Sequence, residues 1–168
     1  WGGSKWNWNQ GDTTKLKYYF GTKASSDNCP AGVTSLNGGA INTENWTDAE
    51  KSAMKVGLSL WTDIIGMETE EVFNVEETDL RFYITTDSSV GYLGAQYGPH
   101  SQPHQGTGIY RRYPGNTWTD SLQPGGYGFI TIIHELGHAM GLAHPHDGGG
   151  GSIVFPGVTG SGDKGDNN

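Results

Sequence analysis

The strongest constraint on this chain is a group of histidines spaced so that they can meet at one point. His134 and His138 are four residues apart, and on an α-helix this spacing places both imidazoles on the same face, one turn apart. Two nitrogens placed in this way can reach one metal ion at about 2.0–2.1 Å. Gly141 can end the helix by adopting a positive φ. The chain can then turn back and supply His144 as a third ligand.

A glutamate lies inside the same run. Glu135 is rotated by about 100° from His134 on the helix, which places it close to the metal but off the ligand axis. A carboxylate in that position can act as a general base toward metal-activated water. Three protein ligands leave a fourth position open, which is typical of a catalytic zinc site. Gly141 and His144 at fixed offsets favour this interpretation over a cluster of surface histidines.

Hydrophobic periodicity predicts two helices. The first spans about 18 residues, begins with a capping box formed by Thr47 and Glu50, and ends near Gly66. Its apolar positions are expected to pack on a core: Ala49, Ala53, Val56, Leu60 and Ile64, widened by Met54, Leu58, Trp61 and Ile65. The second helix is predicted over Phe129 to Met140 and carries the histidine pair.

Five short segments have strand character. They are Leu16–Phe20, Met67–Val72, Leu80–Thr85, Gly91–Tyr97 and Thr107–Tyr113. The fourth contains glycine and is only half apolar, as is common in an edge strand. A length of 168 residues is typical of one domain. The order of elements predicts a single α+β (α/β-like) domain with a twisted mixed sheet, an antiparallel edge strand, a long backing helix and an active-site helix.

Composition excludes several classes of function. The net charge is −8 and basic residues do not cluster, which argues against a nucleic-acid partner. No apolar run approaches the roughly 18–20 residues needed to span a membrane. Cys29 is the only cysteine, so a disulfide framework within the chain is excluded.

The histidine run resembles the signature of a known family. His134-Glu135-x-x-His138-x-x-Gly141-x-x-His144 is similar to the motif of the metzincin peptidases. Pro145 directly after the third histidine, followed by Asp147, resembles the serralysins, which are secreted bacterial peptidases. This likeness covers roughly Lys15 to Asp147. Asp147 itself is expected to accept a hydrogen bond in the loop that carries His144 rather than to bind the metal.

The resemblance implies an activity. We expect a secreted, extracellular zinc endopeptidase that hydrolyses peptide bonds of extended protein substrates, with His134, His138 and His144 as zinc ligands and Glu135 as the general base. In the family, the substrate pairs antiparallel with an edge strand above the active-site helix. That strand corresponds here to Gly91–Tyr97, with Gly94, Ala95, Gln96 and Tyr97 as the predicted substrate-binding residues. The alternative is that this run is an ordinary loop.

Two parts of the family pattern are missing. The serralysins have a Met-containing turn beneath the zinc, with a Tyr two residues later that can act as a further ligand, whereas the residues after His144 include neither Met nor Tyr. The glycine-rich calcium-binding repeats of the family are missing too. We therefore expect an N-terminal subdomain up to His144 and a C-terminal subdomain that is largely absent. We expect the missing part to be cleaved, disordered, or a separate chain that would then be a partner.

Two alternative functions and two further metal sites remain open. A non-catalytic metal-binding or protein-recognition module is disfavoured by the intact Glu135, and the other alternative is an inactive autolysis fragment. His100 and His104 resemble a metal pair only in their spacing. Near the C-terminus, Asp163, Asp166 and Asn167 could bind a calcium ion. The alternative is a solvated loop, which would have the same composition.

Overall fold

The structure, a computed structural model, describes residues 6, 15–23, 41–99, 104–113, 118–147, 154, 156 and 158. In these parts the chain forms five strands and two long helices. The strands are β1 (Leu16–Phe20), β2 (Thr69–Glu71), β3 (Leu80–Thr85), β4 (Gly94–Gln96) and β5 (Thr107–Arg111), and the helices are α1 (Asp48–Ile65) and α2 (Tyr127–Ala139). Several residues considered above lie outside the described residues: Cys29, His100, Asp163, Asp166 and Asn167.

The strands form one mixed sheet in the order β2-β1-β3-β5-β4. Neighbouring strands are parallel except at one edge, where β4 pairs antiparallel with β5. Gly94 of β4 faces Tyr110 of β5 in this register. The predicted α+β fold with an antiparallel edge strand is confirmed, and the edge strand is shorter than the predicted span Gly91–Tyr97.

The main core lies between the sheet and the two helices. Side chains from the sheet, from α1 and from α2 pack there, including Leu16, Phe82, Leu58, Ile132 and Leu136. A second, smaller cluster is formed by Ile41, Val90 and Ile109. In β3 the side chains of both faces are buried, as is usual for a largely parallel sheet that is covered on both sides.

Helix α1 begins and ends as predicted. The Thr47 side chain accepts a hydrogen bond from the Glu50 backbone N–H, the Glu50 side chain accepts one from the Thr47 backbone, and Gly66 ends the helix with φ of +67°. Thr47 and Glu50 therefore form the expected capping box.

The predicted packing face of α1 was wrong in part. Five of the predicted packing residues are exposed: Ala49, Val56, Leu60, Ile64 and Ile65. The buried positions are Glu50, Ala53, Met54, Gly57, Leu58 and Thr62. The close approach of the two helices explains the difference, because a β-carbon at Gly57 would lie 2.8 Å from Cγ2 of Ile132. The two helices therefore meet at Gly57 rather than at the larger residues beside it.

Helix α2 covers most of the predicted span. It begins two residues earlier than Phe129, at Tyr127, and ends at Ala139 rather than at Met140. Gly141 then adopts φ of +98°, as its predicted role required. Neither of the described helices is long and apolar enough to cross a membrane.

Candidate metal centre and cleft

Three histidine side chains converge on one point at the C-terminal half of α2. The Nε2 atoms of His134 and His138 are 3.2 Å apart, and each lies 3.1 Å from Nε2 of His144. The first two project from α2, and the third returns from the loop that follows Gly141. The sequence predicted this grouping from spacing alone.

The histidine triangle has the size that a tetrahedral metal ion requires. A tetrahedron with metal–nitrogen bonds of about 2.0–2.1 Å has edges of about 3.3–3.4 Å, close to the observed separations. Three nitrogens can occupy three corners, and the fourth corner stays open. His134, His138 and His144 therefore fit a zinc ion in the coordination expected for a catalytic site.

Two of these rings are oriented through their second nitrogen. Nδ1 of His138 lies 2.7 Å from the carbonyl oxygen of Leu142, and Nδ1 of His144 lies 3.0 Å from Oδ2 of Asp147. Because a carbonyl and a carboxylate can only accept, each Nδ1 donates, and each Nε2 keeps a lone pair for a metal. Burial also lowers the pKa of His138 and so favours the neutral ring.

Asp147 also holds the backbone of this loop. The backbone N–H of His144 donates to Oδ2 of Asp147 at 3.2 Å. The ring of His146 stacks on that of His144, with centroids 5.2 Å apart and planes 8° from parallel. Within the described ranges, a second possible metal-binding group consists of His144, His146 and Asp147. It shares His144 with the first group.

Glu135 is buried beneath the edge strand. It is 7% exposed, and the backbone N–H of Gln96 donates to its carboxylate. A β-carbon at Gly94 would lie 2.7 Å from Cγ of Glu135 and 3.0 Å from Cγ2 of Thr131. Burial raises the pKa of Glu135 to about 7 in the metal-free chain, although the Gln96 hydrogen bond opposes this shift.

A cleft of about 870 Å³ opens between the edge strand and α2. The three histidines and Glu135 line it, and most of the rest of its lining is apolar: Trp61, Leu93, Tyr127, Ile130, Ile133, Leu142 and Pro145. A smaller aromatic pocket of about 290 Å³ adjoins it and shares Leu93, Tyr127 and Thr131. The site therefore combines a polar centre of ionisable side chains with apolar walls.

The four predicted substrate-binding residues lie at different distances from this centre. Gly94 lines the cleft, and Gln96 reaches the centre through its backbone N–H to Glu135. Ala95 lies between them on β4. Tyr97 follows the strand, and its ring packs against His104 and the small cluster that contains Ile109. His104 is not part of either metal-binding group among the described residues.

Trp61 is a cleft residue whose role the sequence did not reveal. Periodicity placed it among the packing residues of α1, but its indole Nε1 donates to the carbonyl oxygen of Ile133 at 3.0 Å. A β-carbon at Gly137 would lie 3.2 Å from Cζ2 of Trp61. The sequence did carry one indication of this role. Trp61 lies at the border of an apolar helix face, and its indole N–H must find an acceptor.

Sequence comparisons relate the chain to bacterial metalloproteases. It is 27% identical over 158 residues to a serralysin of Photorhabdus laumondii, an alignment that covers 92% of this chain and 31% of the relative. It is 30% identical over 151 residues to the metalloprotease AprA of Pseudomonas entomophila, covering 86% of this chain and 29% of that protein. The chain thus spans about three tenths of the length of these curated relatives. No family model matches it.

A solved structure shares the fold. The structure of myroilysin superposes with a TM-score of 0.51 at 17% sequence identity, covering 85% of this chain and 53% of that chain. Together with the sequence relatives, this likeness confirms the predicted serralysin-like character and the metzincin-like α+β fold.

Proposed function

We propose that this serralysin-like chain of metzincin-like fold is the catalytic part of a zinc-dependent endopeptidase. The observation that carries the proposal is the convergence of three Nε2 atoms, 3.1–3.2 Å apart, in a cleft that the buried carboxylate of Glu135 also lines. His134, His138 and His144 would hold the zinc. Relatives named serralysin and metalloprotease support the same assignment.

A zinc ion held by three histidines supplies Lewis-acid chemistry, since it lowers the pKa of water toward about 7 and polarises a carbonyl group. Glu135 moves the protons. A carboxylate oxygen of Glu135 accepts a proton from the attacking water and delivers it to the nitrogen of the departing amine. The water oxygen forms the new bond to the carbonyl carbon, the peptide C–N bond breaks, and a carboxylate and an amine result.

The surroundings of Glu135 suit this role. The backbone N–H of Gln96 binds the carboxylate and orients it, and Glu135 is only 7% exposed in a cleft with mostly apolar walls. Fixed dipoles and low local polarity strengthen electrostatic interactions in such a site. Glu135 therefore has a defined position and a defined hydrogen-bond partner before any substrate binds.

The edge strand offers a place for an extended substrate. Among the described strands, β4 pairs only with β5, so its other edge can pair with a peptide by strand addition. Gly94 carries no side chain at the point where β4 crosses Glu135. A peptide paired with Gly94, Ala95 and Gln96 would lie beside the histidine centre, which supports endopeptidase action on unfolded segments of proteins.

Four finer aspects of the proposal go beyond the geometry of the described site. We place the protein outside the cell, with peptides and proteins as substrates. Calcium binding by Asp163, Asp166 and Asn167 stays a prediction, because these residues lie outside the described parts of the chain. A C-terminal segment as a separate partner chain also stays a prediction.

The competing function is a metal-binding or recognition module without catalysis. A site that only holds metal needs the three histidines, but it gains nothing from a carboxylate whose burial raises its pKa. Burying an ionisable group costs stability, and a site that only holds metal would have no need to bear that cost. Glu135 therefore favours catalysis over a purely structural zinc site.

Cleavage of an unstructured protein tests the proposal. The chain is assayed after dialysis against a chelator, after zinc is restored, and as the Glu135→Gln variant with its zinc content measured. We expect cleavage only with zinc and a loss of at least about a thousandfold in the variant at equal zinc content. Equal cleavage by the zinc-loaded variant would remove Glu135 from the reaction, and zinc binding without cleavage in the parent chain would support the competing module.

A further inference from the structure

We propose that two tryptophans, Trp61 and Trp6, are positioning residues that hold the metal-binding helix α2 at both ends of its histidine pair. Each donates its indole N–H to a carbonyl oxygen of α2 that flanks the pair. The proposal rests on the proposed metal centre, and its test separates a failure of the one from a failure of the other.

Trp61 acts on the side of α2 that faces α1. Its Nε1 donates to the carbonyl oxygen of Ile133, the residue before His134, at 3.0 Å. Its ring packs on Gly137, the residue before His138, where a β-carbon would lie 3.2 Å from Cζ2. One side chain thus contacts the backbone directly before each of the two helical ligands.

Trp6 acts at the C-terminal end of the same helix. Its Nε1 donates to the carbonyl oxygen of Ala139, the last residue of α2, at 2.9 Å. The last carbonyl groups of a helix have no partner within the helix. Trp6 therefore satisfies an acceptor directly after His138, at the point where the chain turns toward His144.

Both bonds restrain the rotation of α2 about its own axis. Apolar packing alone restrains that rotation less. The Nε2 atoms project away from the helix axis, so a small rotation displaces them more than it displaces the backbone. The N-terminus of α2 has no side-chain cap at Gly126. Its first turn is tied instead by Ser121, whose Oγ accepts from the Gly128 N–H at 2.8 Å. The two indoles supply the corresponding restraint in the half that carries the ligands.

The chain contains a matched control for the loss of such a bond. Trp46 donates its indole N–H to the carbonyl oxygen of Phe82 at 3.1 Å. This bond joins the segment before α1 to β3, and Trp46 is not among the residues that line the cleft. Trp46→Phe removes the same type of hydrogen bond as Trp61→Phe and Trp6→Phe, but at a place where the proposal predicts no effect on the metal.

The test measures metal binding directly. Zn²⁺ affinity is determined by competition with a chromophoric chelator, and Co²⁺ is added to record its visible ligand-field bands, which report the geometry of its ligands. The full chain is compared with Trp61→Phe, Trp6→Phe and Trp46→Phe, with thermal unfolding of each metal-free variant as the measure of stability. A parent chain that binds no metal would overturn the proposed centre itself, before any tryptophan is considered.

We expect the Zn²⁺ Kd to rise about threefold to tenfold in Trp61→Phe and in Trp6→Phe, as the loss of one net hydrogen bond would predict. Their Co²⁺ bands should weaken or shift. Trp46→Phe should keep the parent Kd within about twofold and the parent spectrum, whatever its change in thermal stability. Equal effects of all three substitutions, or no effect of any, would overturn the proposal.

A second pair of variants keeps the test decisive for Trp61. Gly137→Ala places a methyl group against the indole, so it should weaken Zn²⁺ binding in the parent chain. In a Trp61→Leu background the ring is gone, and the same Gly137→Ala change should have little further effect. An equal loss in both backgrounds would show that Gly137 acts independently of Trp61.

Discussion

A β-carbon at Gly94 would lie 2.7 Å from Cγ of Glu135. The edge strand and the acidic residue of the motif therefore touch at a point where no side chain fits. Real β-carbons do not approach other atoms this closely, so an alanine must displace either the strand or the carboxylate.

Gly94→Ala should therefore reduce cleavage by at least about tenfold, because a shift of about 1 Å at a catalytic group has effects of this order or larger. Zinc content should stay at the parent value, since the three ligands are not touched. Steady-state kinetics and elemental analysis of the same sample check this, with Ser59→Ala, an exposed change on α1 outside the cleft lining, as the control. Full activity in Gly94→Ala would show that the contact with Glu135 is not required.

Asp147→Asn should weaken zinc binding by about tenfold to a hundredfold, as is usual when the partner of a ligand imidazole is lost. Asp147 accepts from both Nδ1 and the backbone N–H of His144, and an amide lacks the charge that strengthens these bonds. Competition with a chelator gives the Kd. Asp63→Asn, an exposed change of the same kind on α1, should leave it unaltered. An unchanged Kd in Asp147→Asn would mean that the loop holds His144 by other contacts.

The metal-free chain should lose stability as the pH rises. Burial raises the folded-state pKa of Glu135 to about 7, so the folded state keeps a proton that the unfolded chain releases above about 4.3. The stabilisation is fully present below that pH and falls away up to about pH 7, by at most about 3 kcal/mol. Urea unfolding with a chelator at pH 5 and pH 8 measures it. The difference between the parent chain and Glu135→Gln isolates the effect from that of His138, and a difference that is constant with pH would contradict it.

Glu50 should show the opposite dependence. Burial raises its pKa, but hydrogen bonds from Arg112 and Thr47 outweigh this, and the pKa lies below its usual value. Its stabilisation is therefore present above the unfolded pKa of about 4.3 and is lost as the pH falls through the folded pKa. Arg112 donates to both carboxylate oxygens at 2.6 Å, and the indole of Trp118 adds a bond at 3.0 Å.

Glu50→Gln should accordingly destabilise the fold by about 3 kcal/mol at pH 7, with the difference shrinking below about pH 4. The control is Glu71→Gln, which breaks the more exposed ion pair with Lys55 and should cost less than about 1 kcal/mol. Urea titrations at both pH values give the two free energies. Equal losses in the two variants would mean that the buried network contributes no more than a surface pair.

The local signals in the sequence were sufficient for the ends of α1 and for the grouping of the three histidines. Thr47 with Glu50 located the start of α1, and the spacing of His134 and His138 located two nitrogens on one helix face. These features depend on residues within one or two turns of each other. For that reason a single sequence carries them.

The remaining features depend on contacts between distant parts of the chain. The exposed face of α1 was wrongly predicted to be buried because apolar residues surround that helix, and the deciding contact was Gly57 against Ile132 across two helices. The link from Trp61 to Ile133 spans 72 residues and the one from Trp6 to Ala139 spans 133. No local pattern reports which carbonyl group a distant indole will reach.

Titration of the metal-free chain with zinc, while the initial rate of peptide-bond cleavage is followed, tests the central claim most directly. The account predicts that the rate rises linearly and stops at one equivalent of zinc per chain. It also predicts that Glu135→Gln binds the same equivalent without gaining activity. A parent chain that stays inactive with one zinc bound, or a rate that is independent of zinc, would contradict the assignment of His134, His138, His144 and Glu135 as a catalytic centre.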